Sequence, residues 1–200
     1  MRKTLIVLSL VSAGLAAGSV MAQDTTSPHT AQTGWYVSAD AGQARVSKGP
    51  YNDGDTTGGL KAGYRFEVNP HTSLGLEVGY QYLGILDPHA RYADRVTGSG
   101  RSQLRGATAG VDFRYNISPR WYAEWRGGAF RAQASGLTDR YPGTRYRRDV
   151  THTNYYAGVG VGYNVDRDWS LGVNYDHYKG TDDAVRLDTN AYTMSAEYRF

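Results

Sequence analysis

From Gly34 onward the chain alternates apolar and polar residues, and eight separate segments repeat the pattern. A period of two is the spacing of a β-strand whose two faces meet different surroundings. The first segment sets Trp35, Val37, Ala39 and Ala41 against Tyr36, Ser38, Asp40 and Gly42. The second sets Leu60, Ala62, Tyr64, Phe66 and Val68 against Lys61, Gly63, Arg65 and Glu67. The third sets Leu74, Leu76, Val78, Tyr80 and Tyr82 against Gly75, Glu77, Gly79 and Gln81. The same division runs through 107–117, 121–129 and 155–165, where Asp112, Arg114, Glu124 and Arg126 share the polar face. It returns in 169–176 and 192–200, where Asp176, Glu197 and Arg199 oppose Trp169, Val173, Met194 and Phe200.

The connections alternate in length. Asn69-Pro70-His71-Thr72, Ser118-Pro119-Arg120 and Asp166-Arg167-Asp168 are tight polar turns. Between them lie long loops, approximately 46–58, 87–103, 135–152 and 179–189. Three turns and four loops join eight strands and leave both ends on the turn side. The pattern predicts an all-β fold over 34–200, an eight-stranded antiparallel up-and-down transmembrane β-barrel with short periplasmic turns and longer outer loops.

The first residues predict export. Arg2 and Lys3 precede an apolar run from Leu5 to Ala17, and Val20-Met21-Ala22 ends on a small residue. A charged start, a short apolar core and an A-x-A-like site make a secretory signal peptide over 1–22. The run falls short of the ~20 residues of a spanning helix. Polar residues 23–33, with Pro28, read as a flexible periplasmic tail. Lys and Arg number 22 against 19 Asp and Glu, and two of the cations are Arg2 and Lys3. The exported part is thus almost neutral, and nothing in its charge points to nucleic acid. It has no Cys, so its stability should not depend on redox state.

A soluble barrel also alternates, with its apolar face inside. Three features favour lipid outside instead. Aromatics gather beside the short turns (Phe66, Tyr115, Trp121, Tyr163, Trp169, Tyr198 and Phe200), as in an interfacial girdle. About half of the 25 glycines fall on the charged face, which suits a narrow, crowded lumen. Tyr192, Met194, Ala196, Tyr198 and Phe200 put an apolar group at every second place back from the end, the form of a C-terminal insertion signal read by the barrel-assembly machinery.

Energetics orients the strands. Asp40, Lys61, Arg65, Glu67, Glu77, Asp112, Arg114, Glu124, Arg126, Asp176, Glu197 and Arg199 share one face. An Arg or Lys facing lipid at mid-depth costs roughly 2–4 kcal/mol, and several would exceed the ~5–15 kcal/mol stability of a domain. These residues are therefore expected inside, as an ion-pair network with Glu77, Glu124 and Arg126 near mid-depth. The sheet must close, because an open edge has no partner in lipid.

The chain resembles the small OmpA-like and OmpX-like eight-stranded outer-membrane barrels. Gly34-Trp35-Tyr36-Val37, Gly63-Tyr64-Arg65-Phe66, Leu76-Glu77-Val78-Gly79-Tyr80 and Tyr198-Arg199-Phe200 carry the resemblance. It implies residence in the cell outer membrane and a structural or surface-interaction role, in adhesion or envelope integrity, with the loops as the binding surface. The expectation is a barrel without a peptidoglycan-binding domain after it, so cell-wall anchoring is not implied. Outer-membrane lipid and lipopolysaccharide, the assembly machinery and a host or surface ligand are the expected partners of a monomer.

Catalytic signals are weak. The His-x-Ser pair of outer-membrane lipid A deacylases matches His71-Thr72-Ser73 in its letters, but the topology puts those residues in a periplasmic turn. His177 follows Asp176 near the outer end of a strand, without a Ser two residues on, and His29, His89 and His152 lack paired metal-ligand spacing. Gly158, Gly160 and Gly162 alternate along a strand with no helix after them, unlike a phosphate loop. Arg145, Arg147 and Arg148 form a basic cluster in the third loop that could meet lipopolysaccharide phosphates. The expectation is a non-enzymatic barrel without cofactor or metal. A small porin-like channel and a lipid A-modifying enzyme are the alternatives.

Overall fold

The computed structural model describes residues 33–46, 53–86, 102–137, 147–179 and 188–200. Eight strands run in chain order: β1 (Gly34–Val46), β2 (Asp53–Asn69), β3 (Thr72–Leu86), β4 (Ser102–Asn116), β5 (Trp121–Leu137), β6 (Arg147–Asn164), β7 (Trp169–Tyr178) and β8 (Thr189–Arg199). Each pairs antiparallel with its neighbours, and β1 pairs with β8 from Tyr36↔Arg199 to Val46↔Thr189, so the sheet is a closed barrel. Closure leaves no unpaired strand edge for lipid to meet.

Short polar side chains build the turns, as their types require. Asp166 Oδ1 accepts the backbone N–H groups of Asp168 and Trp169 at 2.8 and 2.7 Å. Asn69 Oδ1 accepts from His71 N at 3.0 Å, and Ser118 Oγ accepts from Trp121 N at 3.0 Å. The strands that these turns join therefore start in register.

The outer wall is apolar. Leu60, Val78 and Met194 are exposed by 61–69 %, which is unfavourable in water and natural against lipid. Near the turns Trp35 meets Tyr64 edge-on, Tyr64 meets Phe66, and Trp169, Tyr198 and Phe200 form a chain of ring contacts. A second aromatic belt lies toward the loops: Tyr175 against Tyr192 at 5.0 Å, and Tyr155 with Lys179 5.3 Å above its ring. The two belts mark the two interfaces of a membrane band.

The ladders run further than the hydrophobic alternation does. Residues 53–58, assigned to the first loop by sequence, belong to β2, and Gly136 and Leu137 pair with Arg148 and Arg147 across β5 and β6. Beyond the lipid band the outward face of a hairpin meets polar surroundings instead of lipid. Backbone hydrogen bonds continue there while the apolar signal stops, so periodicity alone ends the strands too early.

Candidate functional site

The lumen holds the charged face, and its side chains are bonded to one another. Glu197 is the centre. Arg114 reaches it with both terminal nitrogens at 2.8 and 2.7 Å, and Arg65 does the same at 3.0 and 3.3 Å. Arg114 also donates to Glu124 at 2.8 Å, and Arg126 donates to the other oxygen of Glu124 at 3.0 Å. Arg126 then grips Asp176 through two bonds of 2.7 and 2.8 Å, while Arg65 bonds Asp112 at 2.9 Å. The paired N–H bonds give these contacts both strength and direction.

Tyrosines extend the chain of contacts. Tyr36 donates toward Asp112 and Glu77 at 3.2 and 3.3 Å, and Tyr156 donates to Glu77 at 2.7 Å. Arg65 lies 4.1 Å over the Tyr36 ring and Arg114 lies 3.9 Å over Tyr122, so each guanidinium has an aromatic face as well as carboxylates. Asp176, Arg126, Glu124, Arg114, Glu197, Arg65, Asp112, Tyr36, Glu77 and Tyr156 thus form one connected path that takes in all eight strands. Closer to the loops Lys61 and Asp40 pair at 2.9 Å, and Gln81 bridges Asp40 to Thr57 at 2.9 and 3.2 Å.

Above this polar section the lumen becomes apolar. Ala44, Leu83, Leu104, Phe130, Ala132, Tyr156, Tyr178 and Ala191 form a buried cluster. Tyr156 stacks on Tyr178 at 5.8 Å, and Phe130 meets Tyr178 edge-on at 5.1 Å. Leu83 continues the inward parity of Glu77 and Gln81, and just beyond it the β3–β4 register shifts between Tyr82 and Ile85, where Gly84 takes φ 94°, a conformation that suits glycine. Sequence reasoning missed this cap. Above the lipid band the alternation changes phase, with apolar groups inside and Arg105, Arg131 and Gln133 exposed outside.

Inward glycines make room for large neighbours. A Cβ on Gly162 would strike the Tyr122 ring, and one on Gly63 would strike Tyr36 at 2.6 Å. Strands β6 and β2 therefore lack side chains where tyrosines from β5 and β1 cross the lumen.

Two members of the expected network lie elsewhere. Glu67 is exposed: the β2–β3 register shifts between Glu67 and Asn69, at the turn end, where its carboxylate can reach solvent. Arg199 is half-buried and donates to Ser170 at 2.9 Å and Asn164 at 3.3 Å, rather than to a carboxylate. Glu77, expected in the ion pairs, is held by the two tyrosine hydroxyls. Tyr192, Met194 and Phe200 face outward and Ala196 and Tyr198 are half-buried. Arg147 and Arg148 begin β6 instead of lying in a loop, for the reason already given for the extended ladders. Arg145, the signal segment, the N-terminal tail up to residue 32, His29 and His89 lie outside the described residues. His71 is exposed in its turn, and His177 Nδ1 lies 2.7 Å from Asn190 Oδ1.

A closed eight-stranded barrel with a lipid-compatible wall and a polar, filled interior defines an integral outer-membrane protein. The family model for the outer membrane protein beta-barrel domain matches residues 10–200, and the chain belongs to that family. Outer membrane protein A of Serratia marcescens is 27% identical over 213 residues, covering 100% of this chain and 56% of that protein. The chain thus spans little more than half the length of this curated relative. Neisserial surface protein A has a similar fold, with TM-score 0.57 and 19% identity over 83% of this chain and 97% of that one. The attachment invasion locus protein Ail of Yersinia pestis, in complex with the heparin analogue sucrose octasulfate, gives TM-score 0.56 and 14% identity over 84% and 99%. The fold and outer-membrane location expected from sequence stand.

Proposed function

We propose that this protein is a non-catalytic, non-conducting barrel that stabilises the envelope and presents its outer rim and loops to surface ligands. The connected path of bonded side chains through the lumen carries this reading, because it leaves the interior no room to serve as a channel. An eight-stranded barrel has space for little beyond its own side chains. Contact with an anionic surface ligand fits the family: the related fold of Ail was captured with a sulfated sugar analogue. His71 and His177 lack the surroundings of a hydrolase, since one is an exposed turn residue and the other meets an asparagine. Cleavage after Ala22, insertion through the 192–200 row and a monomeric state belong to the same proposal.

The test is a strain without the protein, complemented by the intact chain or by one with 138–146 replaced by a two-residue turn. Detergent sensitivity or binding of cells to surfaces should change when the protein is absent, with small-solute uptake constant. A fall in uptake that the intact chain restores would favour the porin reading. Hydrolysis of lipid A acyl chains by the purified protein would favour the enzyme.

A further inference from the structure

Both rims of the barrel carry exposed charged residues. At the turn rim, acidic and basic residues mix: Glu67, Asp166 and Asp168 with Arg120 and Arg167, all exposed. At the loop rim Asp55, Lys179 and Asp188 are half-buried, and Arg45, Arg105 and Arg131 are exposed. The last two are neighbours. Arg105 stands opposite Gln133 across β4 and β5, and Arg131 stands opposite Ala107, so the arginines are diagonal partners about 7–8 Å apart on one face. Thr153 faces Arg131 from β6. Neither arginine has a carboxylate partner among the described residues, whereas every arginine of the central lumen path does.

The wall beneath them carries small residues. Ala107, Ala109 and Ala129 follow toward the membrane centre, with Gly127 and Ala157 beyond. Tyr80 borders this depression through its pairing with Ala107, and Tyr155 through its pairing with Ala129. Phe113 and Trp125, 5.7 Å apart, lie deeper on the same two strands. The tyrosines mark the interface; Arg131 shares the ladder row of Tyr80 and Ala107, and Arg105 lies two residues beyond it toward the loops, a level that fits lipid headgroups.

We infer that Arg105 and Arg131 clamp a phosphate of lipopolysaccharide, with an acyl chain lying in the alanine–glycine depression below. Two guanidiniums at that spacing converge on one phosphate through charge-assisted bonds, and Gln133 and Thr153 add polar contacts beside it. The site depends on outer-membrane placement with the loops outward, as in barrels of this kind. It does not depend on the loops binding a surface ligand, so either proposal can fail alone.

The test titrates the folded full chain with lipopolysaccharide, with the same lipopolysaccharide stripped of its lipid A phosphates, and with phosphatidylglycerol. The R105Q/R131Q variant is compared with R45Q/R120Q, which loses the same charge elsewhere. Heat-modifiable gel migration checks that each remains folded. Intact lipopolysaccharide should bind R105Q/R131Q about tenfold or more weakly, the scale of a lost charge-assisted bond, and R45Q/R120Q within about twofold of the unmodified chain. Phosphate removal should weaken the unmodified chain as much as R105Q/R131Q does. Equal weakening in both variants, indifference to the phosphates, or equal affinity for phosphatidylglycerol would each overturn the clamp.

Discussion

Glu197 is the residue on which most of the lumen depends, since two arginines share its carboxylate. Removing it leaves Arg65 with Asp112 alone and Arg114 with Glu124 alone, and breaking a buried pair costs about 3–5 kcal/mol. Glu197→Ala should therefore lower unfolding stability in detergent by at least that range, measured by urea titration. Glu67→Ala, at an exposed site, should change it by about 0.5 kcal/mol or less. Gly162→Val should be as harmful as a lost ion pair, because the new side chain occupies the place of the Tyr122 ring; loss of folded, fast-migrating protein on unheated gels would show it. Parity alone put most of the buried charged residues on the inward face, although it also put Glu67 there, which is exposed. The pairing was not legible: Glu197 and Arg65 lie far apart in sequence, and only the register of β1 with both β2 and β8 brings them together. The Tyr36 and Tyr156 hydroxyls were also hidden, because tyrosine on a polar face reads as packing until its partner is seen.

At the scale of the strand, two signals carry different lengths of information. Hydrophobic alternation located all eight strands but reported only the part in lipid. The hydrogen-bonded ladder continues past it, as Leu137↔Arg147 shows. Where β4 and β5 leave the membrane band the same alternation persists with its sense reversed, and Leu104, Phe130 and Ala132 turn inward as a cap. A sequence reading that extends one rule along the whole strand cannot register that reversal. The cap should be separable from the ion pairs. Phe130→Ala should cost about 3–5 kcal/mol and admit small ions intermittently, seen as brief openings in a bilayer, while the 2.7–2.8 Å Arg126–Asp176 contact stays in place. The segment between β5 and β6 should tolerate change. A short tag inserted at Pro142-Gly143 should be labelled on intact cells, and labelling only after the outer membrane is broken would invert the topology.

For the whole molecule, the bonded path does what a hydrophobic core does in a soluble domain: it ties each strand to strands that are not its neighbours. Arg65 on β2 reaches Glu197 on β8 and Asp112 on β4, and Arg126 on β5 reaches Asp176 on β7. Closure itself depends on β8 finding β1, with Tyr198 and Phe200 on its outer side. The Y198A/F200A variant should accumulate less in the outer membrane fraction; normal levels with normal heat-modifiable migration would count against an assembly role. The central claim is that the lumen is occupied by its own side chains. Its most direct measurement is the current across a planar lipid bilayer holding the purified, folded, unmodified protein. A filled lumen should give a trace without steady conductance in simple salt solution, and a steady, large conductance from every inserted molecule would mean that the lumen is open.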